Sequence, residues 1–308
     1  MYVIGMIYRT LGSTGLKVSV VGIGTWQLGG EWGKAFTERE VGALFDAARQ
    51  NGITLIDTAE CYGDHLSEKL VGLAIKADRS RWVLATKFGH RYTMPFEREQ
   101  LWSAADVQKQ LEGSLSALGT DTIDLYQFHS GAKQAFDNDE LWTMLRKQKE
   151  AGKVRHLGIS ISSSMGHEDQ VYQARLAREV GAESLQVVYN RLERWPEEAI
   201  FPACGKDNLG ALARVPLASG FLSGKYSKGT RFGPDDFRSR KTSRELDAMA
   251  ADAMKVRAEE VPTGVPMAAW ALSWCLRNPA VTAVIPGCKS AEQVSENAKA
   301  VELLKVKA

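Results

Sequence analysis

Four polar residues stand out by type and by place: Asp57, Tyr62, Lys87 and His129. A free tyrosine phenol, with a pKa of about 10, is a poor acid at neutral pH. An ammonium beside it stabilises phenolate and lowers that value. A carboxylate beside the ammonium keeps it charged and oriented, and an imidazole N–H holds a carbonyl oxygen against the phenol. Together the four suit protonation of a carbonyl oxygen as hydride arrives at carbon. Taken singly, each also suits a structural role: Asp57 caps a turn, Tyr62 packs its ring, Lys87 ends a solvated strand, His129 sits satisfied in a core.

The elements that must position them alternate along the chain. Short β-branched runs are expected as strands at Val18–Gly22, Ile53–Asp57, Trp82–Lys87, Ile123–Phe128, Val154–Ser160, Leu185–Val188, Gly210–Val215 and Thr282–Ile285. Helical periodicity follows each, over Thr37–Gln50, Leu66–Ala77, Ala104–Leu118, Asp137–Ala151, Asp169–Val180, a short stretch after Pro196, Arg244–Glu260 with Met267–Leu276, and Ser290–Leu304. Thr37 with Glu40, and Ser290 with Gln293, have capping-box spacing. Eight near-continuously apolar strands, each followed by a helix, predict one (β/α)8 barrel domain over residues 1–308. The segment Tyr8–Lys17, turning at Gly12-Ser13-Thr14-Gly15, reads as a hairpin closing the barrel's bottom. In such a barrel catalytic groups sit at the C-terminal strand ends and the loops beyond. Asp57 ends strand two, Tyr62 lies in the loop after it, Lys87 ends strand three and His129 ends strand four.

Composition narrows the function. The 308 residues are 44% hydrophobic and 25% charged, with 39 basic and 37 acidic side chains for a net charge of +2. That balance gives no pull toward nucleic acid or an anionic membrane. No long apolar run reads as a membrane span, and Met1–Arg9 reads as no secretory signal. Cys61, Cys204, Cys275 and Cys288 lack CxxC spacing and read as reduced thiols of a cytoplasmic protein. The five histidines show no metal spacing, so no metal is expected. Gly22-Ile23-Gly24 lacks the third glycine of a dinucleotide fingerprint. The run Gly220 to Gly224-Lys225 is one residue short of a phosphate loop, with Tyr226 where Ser or Thr would hold magnesium.

In these residues and their order the chain resembles the aldo-keto reductase superfamily, its bacterial sugar- and general-aldehyde branches most closely. The matching stretches run from Leu11-Gly12 through Gly22-Ile23-Gly24-Thr25-Trp26, Asp57-Thr58-Ala59 with Tyr62-Gly63, Ser67-Glu68, Ala85-Thr86-Lys87 and Ile123-Asp124-Leu125-Tyr126 with His129. They continue through Gly152-Lys153-Val154-Arg155, Gly158-Ile159-Ser160, Tyr189-Asn190, Pro216-Leu217, Gly220-Phe221-Leu222-Ser223-Gly224-Lys225 and Ile285-Pro286-Gly287 to Asn297. The resemblance implies that Asp57, Tyr62, Lys87 and His129 form a catalytic tetrad with Tyr62 as general acid. It implies metal-free hydride transfer from a nicotinamide cofactor lying extended across the barrel mouth. By the same resemblance Ser160 and Gln186 meet the carboxamide, and Thr25 and Trp26 the ribose and the substrate, with Trp26, Tyr62 and His129 facing the carbonyl compound. Leu217, Ser219, Leu222, Gly224 and Lys225 form the pyrophosphate loop; Gly287, Lys289, Ser290, Gln293, Glu296 and Asn297 take the adenosine end. Ser290 opens a helix, whose N-terminus favours an anion, and Lys289 beside it suits a ribose 2′-phosphate, which points to NADP(H).

Two positions depart from the pattern. Ile161 stands where many members have asparagine, and Arg214 where an aromatic ring commonly stacks on nicotinamide. Arg214 is expected to face the nicotinamide or an anionic substrate group; a salt bridge to Glu60 or another carboxylate is the structural alternative. Lys225–Arg244, with seven basic and two acidic residues, reads as a lid over cofactor phosphates or as a solvated loop. Arg91, Tyr92, Phe96 and Arg98 of the His90–Glu99 insertion are expected to wall the substrate pocket, with Trp26, Trp32 and Trp195 joining or packing in the core. The reading is an NADPH-dependent reductase of small aldehydes or ketones, sugar-derived ones included. A sugar dehydrogenase running oxidatively and a nucleotide-binding regulatory subunit with slow turnover are the alternatives, and the oligomeric state is open.

Overall fold

In the computed structural model, which describes residues 5–305, eight parallel strands stand side by side in chain order. They are Ile23–Gly24, Leu55–Asp57, Val83–Phe88, Ile123–His129, Val154–Ser160, Ala182–Val188, Gly210–Arg214 and Val281–Val284. The last meets the first: the Gly22 N–H donates to the Val284 carbonyl at 2.8 Å and the Gly24 N–H to the Pro286 carbonyl at 3.0 Å. The sheet thus curls into the expected (β/α)8 barrel.

The alternation of side chains explains how the site is held. Residues two apart on a strand share a face. Leu55, Ala85, Leu125, Leu212 and Ala283 form a buried apolar cluster with Leu11 and Val18. Two residues further along the same strands stand Asp57, Lys87, Gln127 and Arg214. The polar layer is therefore the next inward step above a dry apolar floor.

Helices cover the outer face. Ala104–Leu118 begins at Ser103, whose hydroxyl accepts from the Asp106 N–H, and buries Val107, Leu111, Leu115 and Leu118. Glu38–Gln50 carries the Thr37–Glu40 capping box. Ser290, which caps Ala291–Ala298, accepts from the Gln293 N–H, but the Gln293 carboxamide oxygen takes the Lys289 N–H instead of closing a box.

Several boundaries differ from expectation for local reasons. Val18–Gly22 does not form one barrel strand. Lys17–Ser19 pairs antiparallel with Tyr8–Thr10 in the predicted bottom hairpin. The Ser19 hydroxyl then donates to the Val21 carbonyl and accepts from the Thr54 N–H, turning the chain toward Ile23–Gly24. Asn138 caps Asp139–Glu150 and separates it from a short helix, Lys133–Phe136. The C-terminal helix is two, Ala291–Ala298 and Ala300–Lys305. The insertion after strand three is a β-hairpin, His90–Met94 with Glu97–Gln100, standing over the mouth.

Candidate active site

Lys87 is 1% exposed, and its ammonium is fully engaged. Nζ donates to Asp57 Oδ1 at 2.6 Å, to the Thr58 carbonyl at 2.7 Å and to the Tyr62 hydroxyl at 3.1 Å. Asp57 Oδ2 accepts from Gln127 Nε2 at 3.1 Å and Gln186 Nε2 at 2.7 Å. The carboxylate is thus held on both sides before it fixes the lysine. The Tyr62 and His129 rings meet edge to face at 6.2 Å, and Trp26 stacks beside Tyr62 at 5.9 Å. Gly63 lets the loop make this turn. Its φ is +69°, and a Cβ there would lie 2.5 Å from the Gly29 carbonyl oxygen.

Burial sets the protonation states. It pushes the Tyr62 phenol up to about 12; Lys87 pulls the other way and is outweighed, so the expected net lowering is not what the site achieves. Burial also opposes the Lys87 charge, but Asp57 and Tyr62 together hold its pKa above the usual lysine value. His129 is held well below the ordinary imidazole range, by burial first and then by His90, Lys87, Arg214 and Arg98. At neutral pH the site therefore presents a protonated phenol and a neutral imidazole. Glu60 is pushed up to about 8 by burial and by Glu68. Glu60, Cys61 and His129 bring one potential ligand atom each within 4.8 Å of one another. The cations around His129 make that corner a poor place for another.

These groups sit at one end of a cavity of about 840 Å³ that runs along the barrel mouth. Of the predicted residues, Thr25, Trp26, Asp57, Tyr62, His129, Gln186, Arg214, Leu217, Ser219, Lys225, Gly287, Lys289, Gln293, Glu296 and Asn297 line it. Lys87 and Ser160 lie one layer behind, Ser160 donating to Gln186 Oε1 at 3.3 Å. Leu222 packs fully buried in an apolar cluster with Leu246 and Ala250, off the cavity wall. Gly224 and Ser290 act through backbone and cap, Gly224 by a carbonyl that accepts from Arg257 at 3.4 Å. Lys289 Nζ donates to the Trp32 carbonyl and stands 3.8 Å from Asp236.

Arg214 faces the cavity and forms no salt bridge with Glu60, whose carboxylate accepts the His90 N–H instead at 3.0 Å. Phe96 and Arg98 of the hairpin line the cavity, as do Trp26 and Trp32. Arg91 and Tyr92 do not: Arg91 pairs with Glu99 on the hairpin's own surface, and the Tyr92 ring carries Arg98. Trp195 stacks on His167 at 3.9 Å and does not line the cavity. The loop 225–244 is laced down by Arg238, which is 4% exposed. Arg238 pairs with Asp236, donates to the Ser219 carbonyl and the Tyr226 hydroxyl, and lies 3.7 Å from the centre of the Phe232 ring.

Sequence reasoning missed Gln127 and Glu31. Glu31, 2% exposed, accepts from Trp26 Nε1 at 2.9 Å, from the Phe96 N–H at 2.5 Å and from Arg98. It ties the loop after strand one to the hairpin. Gln127 was within reach of the period-two rule, two residues after Leu125; nothing local marks Glu31.

A sequence model described as Aldo/keto reductase family matches residues 20–308. The chain is 33% identical over 311 residues to an uncharacterized oxidoreductase, YrpG, of Bacillus subtilis (strain 168), covering 97% of this chain and 92% of that one. Among solved structures it is similar to the holo form of the aldo-keto reductase AKR11C1 from Bacillus halodurans, with a TM-score of 0.79 and 30% identity, covering 97% and 91% of the two chains. It is similar also to the glycerol dehydrogenase AKR11B4 from Gluconobacter oxydans, with a TM-score of 0.77 and 30% identity, covering 97% and 90%.

Proposed function

From the premise that the chain belongs to the aldo/keto reductase family, hence to a family of oxidoreductases, we propose that it is an NADPH-dependent reductase of small aldehydes or ketones. The observation that carries this reading is the Asp57–Lys87–Tyr62 hydrogen-bonded line with His129 across from the phenol. When bound, the reduced nicotinamide supplies a hydride to the carbonyl carbon, and the C=O π pair moves to oxygen. Tyr62 gives that oxygen its proton. Neutral His129 donates a hydrogen bond to the same oxygen and orients the substrate. Lys87 stabilises the phenolate left behind, and Asp57 keeps Lys87 in place.

The cavity suits such a cofactor. At its floor Gly24 lets the first strand close against the segment after the eighth, since a Cβ there would lie 2.7 Å from the Ile285 carbonyl oxygen. Among the described residues Gln27 Oε1 and Arg214 Nε are buried there without partners. After strand seven Val215, Ala218 and Ser219 have φ of 54°, 47° and 55°, an uncommon run for side-chain-bearing residues that costs of order 1–3 kcal/mol each. The Ala218, Gly220 and Leu222 N–H groups bond carbonyls within the turn itself, while Ser219 and Lys225 face the cavity with donors that suit a pyrophosphate. Gln186 reaches a carboxamide only by sharing an amide already bonded to Asp57 and Gln127. Lys289 supplies charge for a 2′-phosphate by exchanging the Trp32 carbonyl for it. Lys289→Ala is expected to raise the Kd for NADPH about tenfold and leave that for NADH within about twofold, a charge-assisted hydrogen bond being lost in the first case alone. Fluorescence titration with both nucleotides checks this.

The hydroxyls of Ser130, Ser162, Ser163 and Ser164 edge the reacting end and favour a hydroxylated carbonyl compound. The reverse reaction, oxidation of a polyol, needs Tyr62 as phenolate, which a pKa of about 12 disfavours at neutral pH. Carbonyl-dependent NADPH oxidation across aromatic aldehydes, aldoses and dicarbonyls tests the reading. Turnover on a hydroxylated carbonyl is expected; NADPH binding with no turnover on any would favour a nucleotide-sensing role instead.

A further inference from the structure

Arg214 ends strand seven with its guanidinium in the cavity wall. Among the described residues its hydrogen bonds go to neutral groups: the Ile161 carbonyl at 3.1 Å and Ser163 Oγ at 3.4 Å. Its Nε is buried without a partner. The neighbouring carboxylates are committed elsewhere. Asp57 is paired with Lys87 and Glu31 with Arg98, while Glu60, titrating at about 8, is largely neutral at neutral pH. Arg214 thus brings a positive charge to the reacting end that nothing there cancels. Its field is felt by Tyr62, Asp57 and His129.

We propose that Arg214 makes the site discriminate between the redox states of its nicotinamide, holding the neutral reduced ring in preference to the cationic oxidised one. The inference rests on the reductase reading above. A hydride donor must lie against the carbonyl carbon whose oxygen meets Tyr62 and His129, so its ring lies within reach of the same field. The two cofactor states differ there by one unit of charge, and charge–charge interaction is strong in a site shielded from water. An aromatic side chain at position 214 would attract a cationic ring through its π face; a guanidinium repels it. The free energy of the overall reaction is unchanged. What changes is occupancy: the site fills with NADPH and sheds NADP⁺ readily, so NADP⁺ is a weak product inhibitor.

The test is equilibrium titration of the full chain with NADPH and with NADP⁺, followed by tryptophan quenching. The wild-type ratio of Kd for NADP⁺ to Kd for NADPH is expected to be about tenfold or more, and Arg214→Met is expected to lower it about tenfold. Arg214→Lys, which keeps the charge, is expected to retain most of the ratio. A wild-type ratio near unity needs no variant and overturns the proposal, as does an Arg214→Met variant with the wild-type ratio. Loss of affinity for carboxylate-bearing carbonyl substrates alone, with the ratio unmoved, would assign the charge to substrate and overturn it too. Failure of either nucleotide to bind would instead strike at the reductase reading, and at this inference with it.

Discussion

At the scale of single residues the decisive quantity is the protonation state of Tyr62. A buried phenol titrating at about 12 is a loaded proton donor throughout the physiological range. A general acid must be protonated to act, so reductive activity is lost only as pH rises through the value set by the site. We expect kcat/KM for reduction to stay flat from about pH 6 to about 10 and to fall only as pH approaches the Tyr62 value of about 12. An alkaline limb near neutrality would contradict this. His129 adds no acid limb in that window, because burial keeps its imidazole neutral. Lys87 was legible as a partner of Tyr62, but its net effect was not. Sequence places an ammonium beside a phenol without showing how far both are removed from water.

At the scale of elements the barrel strands place chemistry by register. Leu55 and Asp57, Ala85 and Lys87, Leu125 and Gln127, Leu212 and Arg214 are successive inward steps of four strands. The apolar member of each pair marks the face, and the polar member stands at the mouth. Their place at strand ends made Asp57 and Lys87 legible, and the two-residue step extends the same layer to Gln127. The hairpin His90–Gln100 is different, because its hold on the site is non-local. Glu31 bonds Arg98 and the Phe96 N–H, 67 and 65 residues away in sequence. Neither end carries a spacing that announces the other. Glu31→Gln removes the charge that pairs part-buried Arg98 and loosens the hairpin over the substrate. The expected result is a KM for the carbonyl compound raised about tenfold, with affinity for NADPH within about twofold of wild type. Equal loss of both affinities would show that Glu31 supports the whole mouth and not the substrate wall.

At the scale of the molecule, the fold builds two layers in one closed sheet. The lower layer is apolar and sealed beneath by the Tyr8–Ser19 hairpin, with Leu11 and Val18 fully buried. The upper layer is polar and open to a cavity long enough for an extended ligand. The (β/α)8 order was legible because eight apolar runs alternate with helical periods. The break between the hairpin strand and the first barrel strand was not, because Val18 to Ile23 is continuously strand-like in composition and Ser19 turns it through contacts with Thr54. A ligand spanning strands one, seven and eight cross-links the barrel where its ends meet. Saturating NADPH, at about one hundred times its Kd, is expected to stabilise the fold by about 2.7 kcal/mol. In a chain of this size that is an upward shift of about 4 °C in Tm. Thermal unfolding with and without nucleotide checks it, and an unmoved Tm would contradict an extended cofactor site.

The most direct measurement is single-turnover oxidation of bound NADPH by an aldehyde, in the wild-type protein and in Tyr62→Phe, with NADPH affinity measured on both. If Tyr62 is the proton donor at the carbonyl oxygen, the variant binds NADPH as the wild type does and its hydride-transfer step is slower by about 10²–10⁴. A Tyr62→Phe protein that binds NADPH and transfers hydride at the wild-type rate would contradict the account.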